Sequence, residues 1–246
     1  MLIVVKGTAM SINKKKIRGH HPKGLELLYE DDEIIVVDKP CGLLTMGTER
    51  DKSRTAHSAL NEYVRKGNAR SRNRVYIVHR LDRDTSGILL FAKSEPAKMF
   101  LQEHWADTEK RYLTVVHGRI VQKTGTISSY LTENSAFRVY SIADPVKGKL
   151  SLTVYKVLKE TNDFSLLEIN LLTGRKHQIR VHLSDKGHPV VGDDKYGKGN
   201  DLANNLALHS TSISFQHPVS GMRLTFETKM PDRFTRLVGT LAGQPH

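Results

Sequence analysis

Cysteine is almost absent: Cys41 is the one thiol in 246 residues. An intrachain disulfide is therefore excluded, as is a zinc site built from cysteines, and the composition suits a reducing cytoplasm. The thiol itself reads as small core filler. Also missing is any apolar run near the roughly 20 residues that span a bilayer. The opening "MLIVV" is too short for a signal peptide and has no basic segment before it, and Met10 offers a second start. Acidic residues are absent up to Gly24, while Lys6, Lys14, Lys15, Lys16, Arg18 and Lys23 are present. Residues 1–24 thus read as a basic, disordered arm that displaces counterions.

What is present is positive charge. Thirty-eight Lys plus Arg against 26 Asp plus Glu give a net charge of +12, and a polyanion is the natural partner. The charge is uneven. Glu26 to Glu62 holds nine acids against four bases, whereas "VRKGNARSRNRVYIVHRLDR" places seven bases from Arg65 to Arg83 around a single acid, Asp82. A localised patch suits a nucleic-acid surface better than an evenly basic exterior does.

The periodicities predict an α+β chain with mainly antiparallel, mixed sheet. "LELLYEDDEIIVVDKPCG" reads as two strands around an acidic turn, and "TAHSALNEYVRKG" as a helix stopped at Gly67. "VYIV" and "GILLFAK" read as buried strands around the turn "HRLDRDTS", which carries Asp82. "SEPAKMFLQEHWADTEK" reads as a helix capped by Ser94 with Pro96 in its first turn. A strand "KRYLTVVHGRI" follows, and "GTISSYL", "AFRVYSI", "KLSLTVYKVL" and "FSLLEINLL" then come in close succession. A helix is expected from about Lys176 to Gly187, two strands after it, and a last helix from Pro231.

Four signals compete for a function. "GDDKYGKG" nearly matches a phosphate loop, but Gly199 stands where a Ser or Thr must bind magnesium, and two aspartates would face the phosphates. A nucleoside triphosphatase is rejected. The 12 histidines include His177 and His182, but a spacing of five does not put both on one helical face, and no ligand-spaced carboxylate or cysteine joins them. "LLTGRKHQIRVH" gathers Arg175, Lys176 and Arg180 at a helix start, where cations oppose the helix dipole and an anion is expected opposite. That anion is either a structural acid of this chain or, opposite Arg175, a phosphate or a catalytic carboxylate. Asp82 between Arg80 and Arg83 is open in the same way: a structural ion pair or turn cap is the commoner case for such a residue, and a reactive carboxylate is the alternative.

The motifs taken together resemble one family. "HRLDRDTSGILLFAKS" closely resembles the catalytic motif of the RluA-type RNA pseudouridine synthases. "IIVVDKPCGLLT" is similar to that family's entry strand and K-P-x-G turn, "EKRYLTVVHG" to its tyrosine strand, and "LLTGRKHQIRVHL" to its arginine motif. "GHPVVGDDKYG" and "LALHSTSISFQHPVSG" follow in family order, so the resemblance covers about Leu25 to Phe234.

The resemblance implies a pseudouridine synthase fold in two packed lobes with a catalytic cleft, formed by residues 25–246. It implies isomerisation of specific uridines to pseudouridine in structured RNA, a ribosomal or transfer RNA stem-loop, by a cytoplasmic monomer without metal or cofactor. Asp82 is then the carboxylate that detaches uracil, Tyr112 the aromatic that stacks on the base, and Arg175 the cation that pairs with the aspartate. Arg80, His79, Lys176 and Arg180 fall to RNA binding, with Arg80 near the place vacated by the extruded nucleotide. Many members carry an RNA-binding domain ahead of the catalytic one, whereas 24 residues precede Leu25 here, which leaves substrate choice to the catalytic domain and the arm. Thr114 and Ser210 stand where small alanines are common in the family. The rival reading is a non-catalytic RNA-binding or RNA-folding protein on the same scaffold.

Overall fold

The computed structural model describes residues 3–5, 21–47, 54–68, 70–197 and 205–240. In chain order the elements are β1 (Ile3–Val5), β2 (Glu26–Glu30), β3 (Ile34–Lys39), α1 (Ala56–Arg65), β4 (Tyr76–Ile77), β5 (Ser86–Ala92) and α2 (Glu95–Glu103). Then come β6 (Glu109–His117), β7 (Thr124–Glu133), β8 (Val139–Ile142), β9 (Lys149–Glu160), β10 (Phe164–Leu171), α3 (Gln178–Asp185), β11 (Leu208–Gln216), β12 (Arg223–Glu227) and α4 (Asp232–Val238). The α+β expectation holds. The residues from Leu25 onward, expected as one domain of two lobes, fall into two units. Unit 1 runs to Thr108 and regains Ser212–Thr228; unit 2 is Glu109–Thr211 with Lys229 onward.

In unit 1, β2 and β3 form an antiparallel hairpin, β3 pairs with β5 from Ile34↔Ala92 to Lys39↔Gly87, and β4 pairs with the far end of β5. Strand β5 is buried along its whole length, as its unbroken apolar sequence demands. Leu28, Ile34, Val36, Ile88 and Leu90 pack with Ala97 and Leu101 of α2 and with Ile213, Phe215, Leu224 and Phe226 of β11 and β12. Each such side chain, fully buried, contributes about 1.5–3 kcal/mol. Strand β1 pairs antiparallel with β12, Ile3 opposite Phe226. Ile3–Val5 are thus sheet rather than disordered arm. Three residues are too few for a strand signal to stand out next to a lysine-rich stretch, and residues 1–2 and 6–20 of the arm lie outside the described residues.

The helices follow their capping chemistry. In α1, Thr55 and Ser58 form a reciprocal capping box, and Ala56, Leu60, Tyr63 and Val64 are the buried stripe. In α2 the Ser94 hydroxyl accepts from the Ala97 amide at 3.2 Å. The helix ends at Glu103, earlier than its sequence suggests, because Trp105–Asp107 tighten into a 3-10 turn.

In unit 2, β6, β10, β9, β7 and β8 pair antiparallel in that order. Helix α3 packs on β7, β8 and β9, and α4 on β6 and β10. Helix α3 begins at Gln178, two residues later than expected, because His177 adopts a left-handed conformation with φ of 54°.

Candidate active site

Asp82 lies in unit 1 on the loop between β4 and β5, half-buried. The loop is fastened along its backbone. Thr45 Oγ1 donates to Leu81 O at 2.8 Å and accepts from the Leu81 amide at 3.1 Å. Asp82 O accepts from the Thr85 amide at 3.2 Å, and Arg83 O accepts from the Gly42 amide at 2.9 Å. The Gly42 amide reaches that carbonyl from a left-handed turn, φ 85°, a conformation open to glycine at little cost. Cys41 Sγ donates to Asp84 O at 3.0 Å, so the thiol ties the loop to the turn and is more than core filler.

Lys39 is the central fastener, and sequence reasoning assigned it no task. Its side chain is completely buried, and its Nζ donates to Leu43 O at 2.7 Å, Arg83 O at 2.9 Å and Pro40 O at 3.1 Å. All three ammonium protons are therefore used on carbonyls. Burial pushes its pKa down to about 8, against the opposing pull of Cys41, Asp84, Asp82 and Asp38. The signal was there: a lysine closing a run of buried β-branched residues is out of place unless something inside receives it.

Of the residues expected beside Asp82, Arg80 is exposed, with Nη1 3.7 Å from Met46 Sδ. His79 is built into the unit: its Nε2 accepts from the Leu90 amide at 3.0 Å, and its ring stacks on Trp105 with centroids 4.6 Å apart. Arg83, the other neighbour of Asp82, instead meets Asp84 through Nε at 3.1 Å.

The remaining expected residues lie in unit 2. Tyr112 sits on β6 opposite Ile169 of β10, 8% exposed. Strand alternation puts Lys110 and Thr114 on its face, both buried. Burial lowers the pKa of Lys110. The Thr114 hydroxyl has no hydrogen-bond partner among the described residues.

The turn leading to α3 is held by Gln178, which is buried. Its Oε1 accepts from the Arg175 amide at 3.0 Å and from Thr173 Oγ1 at 2.9 Å, while its Nε2 donates to Leu152 O at 3.0 Å and Thr153 Oγ1 at 2.9 Å. Arg175 is thereby placed by its backbone; its guanidinium is exposed and makes no ion pair or hydrogen bond among the described residues. Lys176 pairs with Glu133 and lies 5.4 Å from the centroid of Phe137.

Arg180, expected to face RNA, is buried inside α3. Its Nε and Nη2 grip the two oxygens of Asp193 at 2.8 and 2.7 Å, a bidentate internal pair and no exposed phosphate contact. Asp193 also accepts from the Lys195 and Tyr196 amides at 3.0 and 2.9 Å. Burial would raise its carboxyl, but the Arg180 guanidinium and the two amides hold it below the usual range. The "GDDKYG" turn is thus an internal clasp. The helix begins after Arg175 and Lys176, so they precede its N-terminus, and Arg180 in its first turn finds its anion within the chain.

Antiparallel sheets carrying a pinned carboxylate loop in one unit and a buried tyrosine strand in the other define a fold of the pseudouridylate synthase class. A solved human structure, RNA pseudouridylate synthase domain containing 1, superposes with a TM-score of 0.70 at 27% identity, covering 87% of this chain and 86% of that one. Residues 33–185, which include all seven expected site residues, match the family model for RNA pseudouridylate synthase. The uncharacterized RNA pseudouridine synthase YlyB of Bacillus subtilis (strain 168) is 35% identical over 233 residues, 89% of this chain and 74% of its own length. The ribosomal large subunit pseudouridine synthase D of Zymomonas mobilis is 34% identical over 84% of this chain and 69% of its own. The chain belongs to the RNA pseudouridylate synthase family. It is an RNA pseudouridine synthase, an isomerase that acts on RNA. Among the described residues no helix is long and apolar enough to cross a membrane.

Proposed function

We propose that this chain isomerises specific uridines in structured RNA of the ribosomal or transfer class, with Asp82 as the reacting carboxylate. The glycosidic bond from ribose C1′ to uracil N1 breaks, the base turns, and C1′ bonds to C5. The proton on C5 leaves and N1 gains one, so no atom is added overall. Tyr112 offers an aromatic face to the base, and Arg175 serves the anionic groups of the reaction. Arg80 takes the place of the extruded nucleotide, whose unstacking costs a few kcal/mol. Binding to RNA also falls to Lys176, with His79 holding the loop that presents Arg80. The relatives named for the large ribosomal subunit favour ribosomal RNA. The reading places the enzyme in the cytoplasm as a monomer, working without metal.

The observation that carries this reading is the fastening of the Asp82 loop. Lys39, Cys41, Gly42 and Thr45 all spend hydrogen bonds on its backbone. A surface turn that merely carried an ion pair would need none of them, and the adjacent Arg83 is bonded to Asp84 instead. The test uses cellular RNA carrying tritium at uridine C5, taken from cells that lack the enzyme. Wild type should release tritium, and Asp82→Asn should lose about three orders of magnitude or more of that rate while still binding RNA. Release by Asp82→Asn at the wild-type rate would remove Asp82 from the chemistry.

A further inference from the structure

We propose that the connection between α1 and β4, residues 65–75, is a docking surface for the strand of substrate RNA next to the target uridine; this rests on the isomerase reading above. Arg65, Lys66, Arg70, Arg72 and Arg74 are all exposed there. Among the described residues none of the five has a carboxylate within ion-pair distance. Five unneutralised cations in ten residues repel one another, a cost that an external polyanion relieves.

Among its described residues, 65–68 and 70–75, the backbone is held by hydrogen bonds, so the charges project from anchored positions. Lys66 caps α1 in a left-handed conformation with its amide on Tyr63 O at 3.0 Å. The Asn68 amide reaches Arg65 O at 2.9 Å, the Ser71 amide reaches Asn68 O at 3.0 Å, and the Arg70 amide reaches Asn68 Oδ1 at 3.0 Å. Asn61 Oδ1 accepts from the Val75 amide at 3.0 Å, closing the segment onto the helix. Arg74 is braced on Tyr76, its Nε donating to the hydroxyl at 2.8 Å and its guanidinium carbon 5.1 Å from the ring centroid. A planar guanidinium held in this way suits a phosphate better than a free lysine does.

The surface is also concave. A pocket of about 620 Å³ opens between α1 and the connection, walled by His57, Asn61, Glu62, Arg65, Asn68 and Arg74. It is roomy enough for one unpaired nucleotide, with Arg65 and Arg74 in its wall for phosphates; His57 Nε2 and the Asn61 amide are bonded to each other and to Val75, which makes that wall rigid. Glu62 is the one acid in that wall. A second pocket holds Lys66 and Arg74 with two acids, Glu30 and Asp32; Glu30 is already taken by Lys93 at 3.0 Å and the Tyr63 hydroxyl at 2.7 Å, and Asp32 is not within ion-pair distance of either cation.

The position relative to Asp82 follows from unit 1 alone. The start of α1 is tied to the Asp82 loop through Thr45, whose carbonyl accepts from the His57 amide at 3.0 Å and whose hydroxyl holds Leu81. From there the helix runs about 15 Å to Arg65, at 1.5 Å per residue. The helix start thus belongs to the frame of the Asp82 loop, and the cations stand one helix length from that anchor, which assigns them to the strand beside the target nucleotide.

The test compares two triple variants of the full chain on the same tritiated RNA: Arg65→Gln with Arg70→Gln and Arg72→Gln, and as a charge-matched control Lys147→Gln with Lys149→Gln and Lys156→Gln in unit 2. Tritium release gives KM and kcat, and filter retention reads binding separately across a salt series. The first variant should raise KM about tenfold or more with kcat within about twofold, and its log–log salt slope should fall by about 2, near 0.7–0.9 per lost phosphate contact. The control should keep the wild-type slope. An active enzyme whose slope is unchanged, or falls equally in both variants, overturns the docking surface and leaves the isomerase reading standing. A wild type that binds RNA but releases no tritium, with the salt slope falling in the first variant as expected, overturns the isomerase reading and leaves the surface standing.

Discussion

Unit 1 holds its functional loop with a buried charge, whereas unit 2 holds its own with a buried neutral network. In unit 1 the Asp82 loop hangs on the Lys39 ammonium above an apolar core of β-sheet residues and α2. In unit 2 the Arg175 turn hangs on Gln178, and a line of side chains continues inward. Gln178 donates to Thr153, the Thr153 hydroxyl meets His182 Nδ1 at 2.9 Å, and His182 Nε2 meets Ser129 at 2.9 Å. Ser129 lies 3.3 Å from Ser141, which donates to Asp185. The carboxylate at the end can only accept, so the line closes with every hydroxyl donating outward when His182, kept neutral by burial, carries its proton on Nε2. An ammonium tolerates approximate geometry around three carbonyls, but a chain of hydroxyls demands that each member keep one protonation state. The two units should therefore respond differently to mutation and to pH.

The largest difference is expected at the buried ion pair of unit 2. Arg180→Met strands the Asp193 carboxylate with two amide donors and should cost about 3–5 kcal/mol. Its counterpart in unit 1, Lys93→Met, breaks a partly solvated pair with Glu30 and should cost below about 1 kcal/mol. Chemical denaturation of both variants checks the contrast; equal losses would erase it.

Acid should separate the units next. Burial holds His182 down to about 4, with Asp185 pulling the other way, and burial together with Arg233 holds His209 at about 4. An unfolded histidine takes its proton near 6.5, so this stability is whole above that pH and is lost as pH falls toward 4, by about 3 kcal/mol for His182. Unit 1 has the opposite slope. Burial and then Glu26 raise Asp38 to about 6, so its folded form gains a proton before its unfolded form does and stability rises as pH falls from 6 toward 4. Hydrogen exchange corrected for intrinsic rate should show β9 and α3 losing protection between pH 7 and pH 5 while β3 and β5 keep theirs. His182→Gln should shrink the loss; parallel losses in both units would sink this account.

The smallest effect lies on the alkaline side. Above about pH 8 Lys39 sheds a proton and three carbonyls share two donors, so the Asp82 loop loosens and activity should fall a few-fold. Stability moves the other way. An unfolded lysine keeps its proton to about 10.4, so the cost of burying the ammonium, present below pH 8, fades as pH climbs. Tritium release and thermal melts measured from pH 7 to 9.5 should therefore diverge; a melting temperature that falls in step with activity would assign the loss to general unfolding.

The strands β2, β3 and β5 to β12 were legible because their β-branched runs are bounded by turn residues, and α1 and α2 because Thr55 and Ser94 announce their starts. The start of α3 is not legible because a left-handed His177 leaves no mark in the pattern, which puts Lys176 inside the expected helix and Arg175 at its edge. Asp82 could be singled out only through ordered motifs, since its spacing to arginines is also that of a common surface ion pair. Gln178 and Lys39 escaped notice as fasteners because each bonds to backbone distant in sequence: Lys39 to Arg83, 44 residues away, and Gln178 to Leu152, 26 residues away.

The sequence by itself determined the class of fold, the family and the location of positive charge, since apolar period, motif order and net charge are properties of the linear chain. Which charges face outward was decided only by tertiary structure. Arg180 and the five cations of the α1–β4 connection are alike in composition, but Arg180 folds against Asp193 and loses its water, whereas Arg65, Lys66, Arg70, Arg72 and Arg74 meet no carboxylate and keep their charge for a partner. A guanidinium is worth most to RNA when no internal acid has claimed it, and only the folded chain brings such an acid within reach.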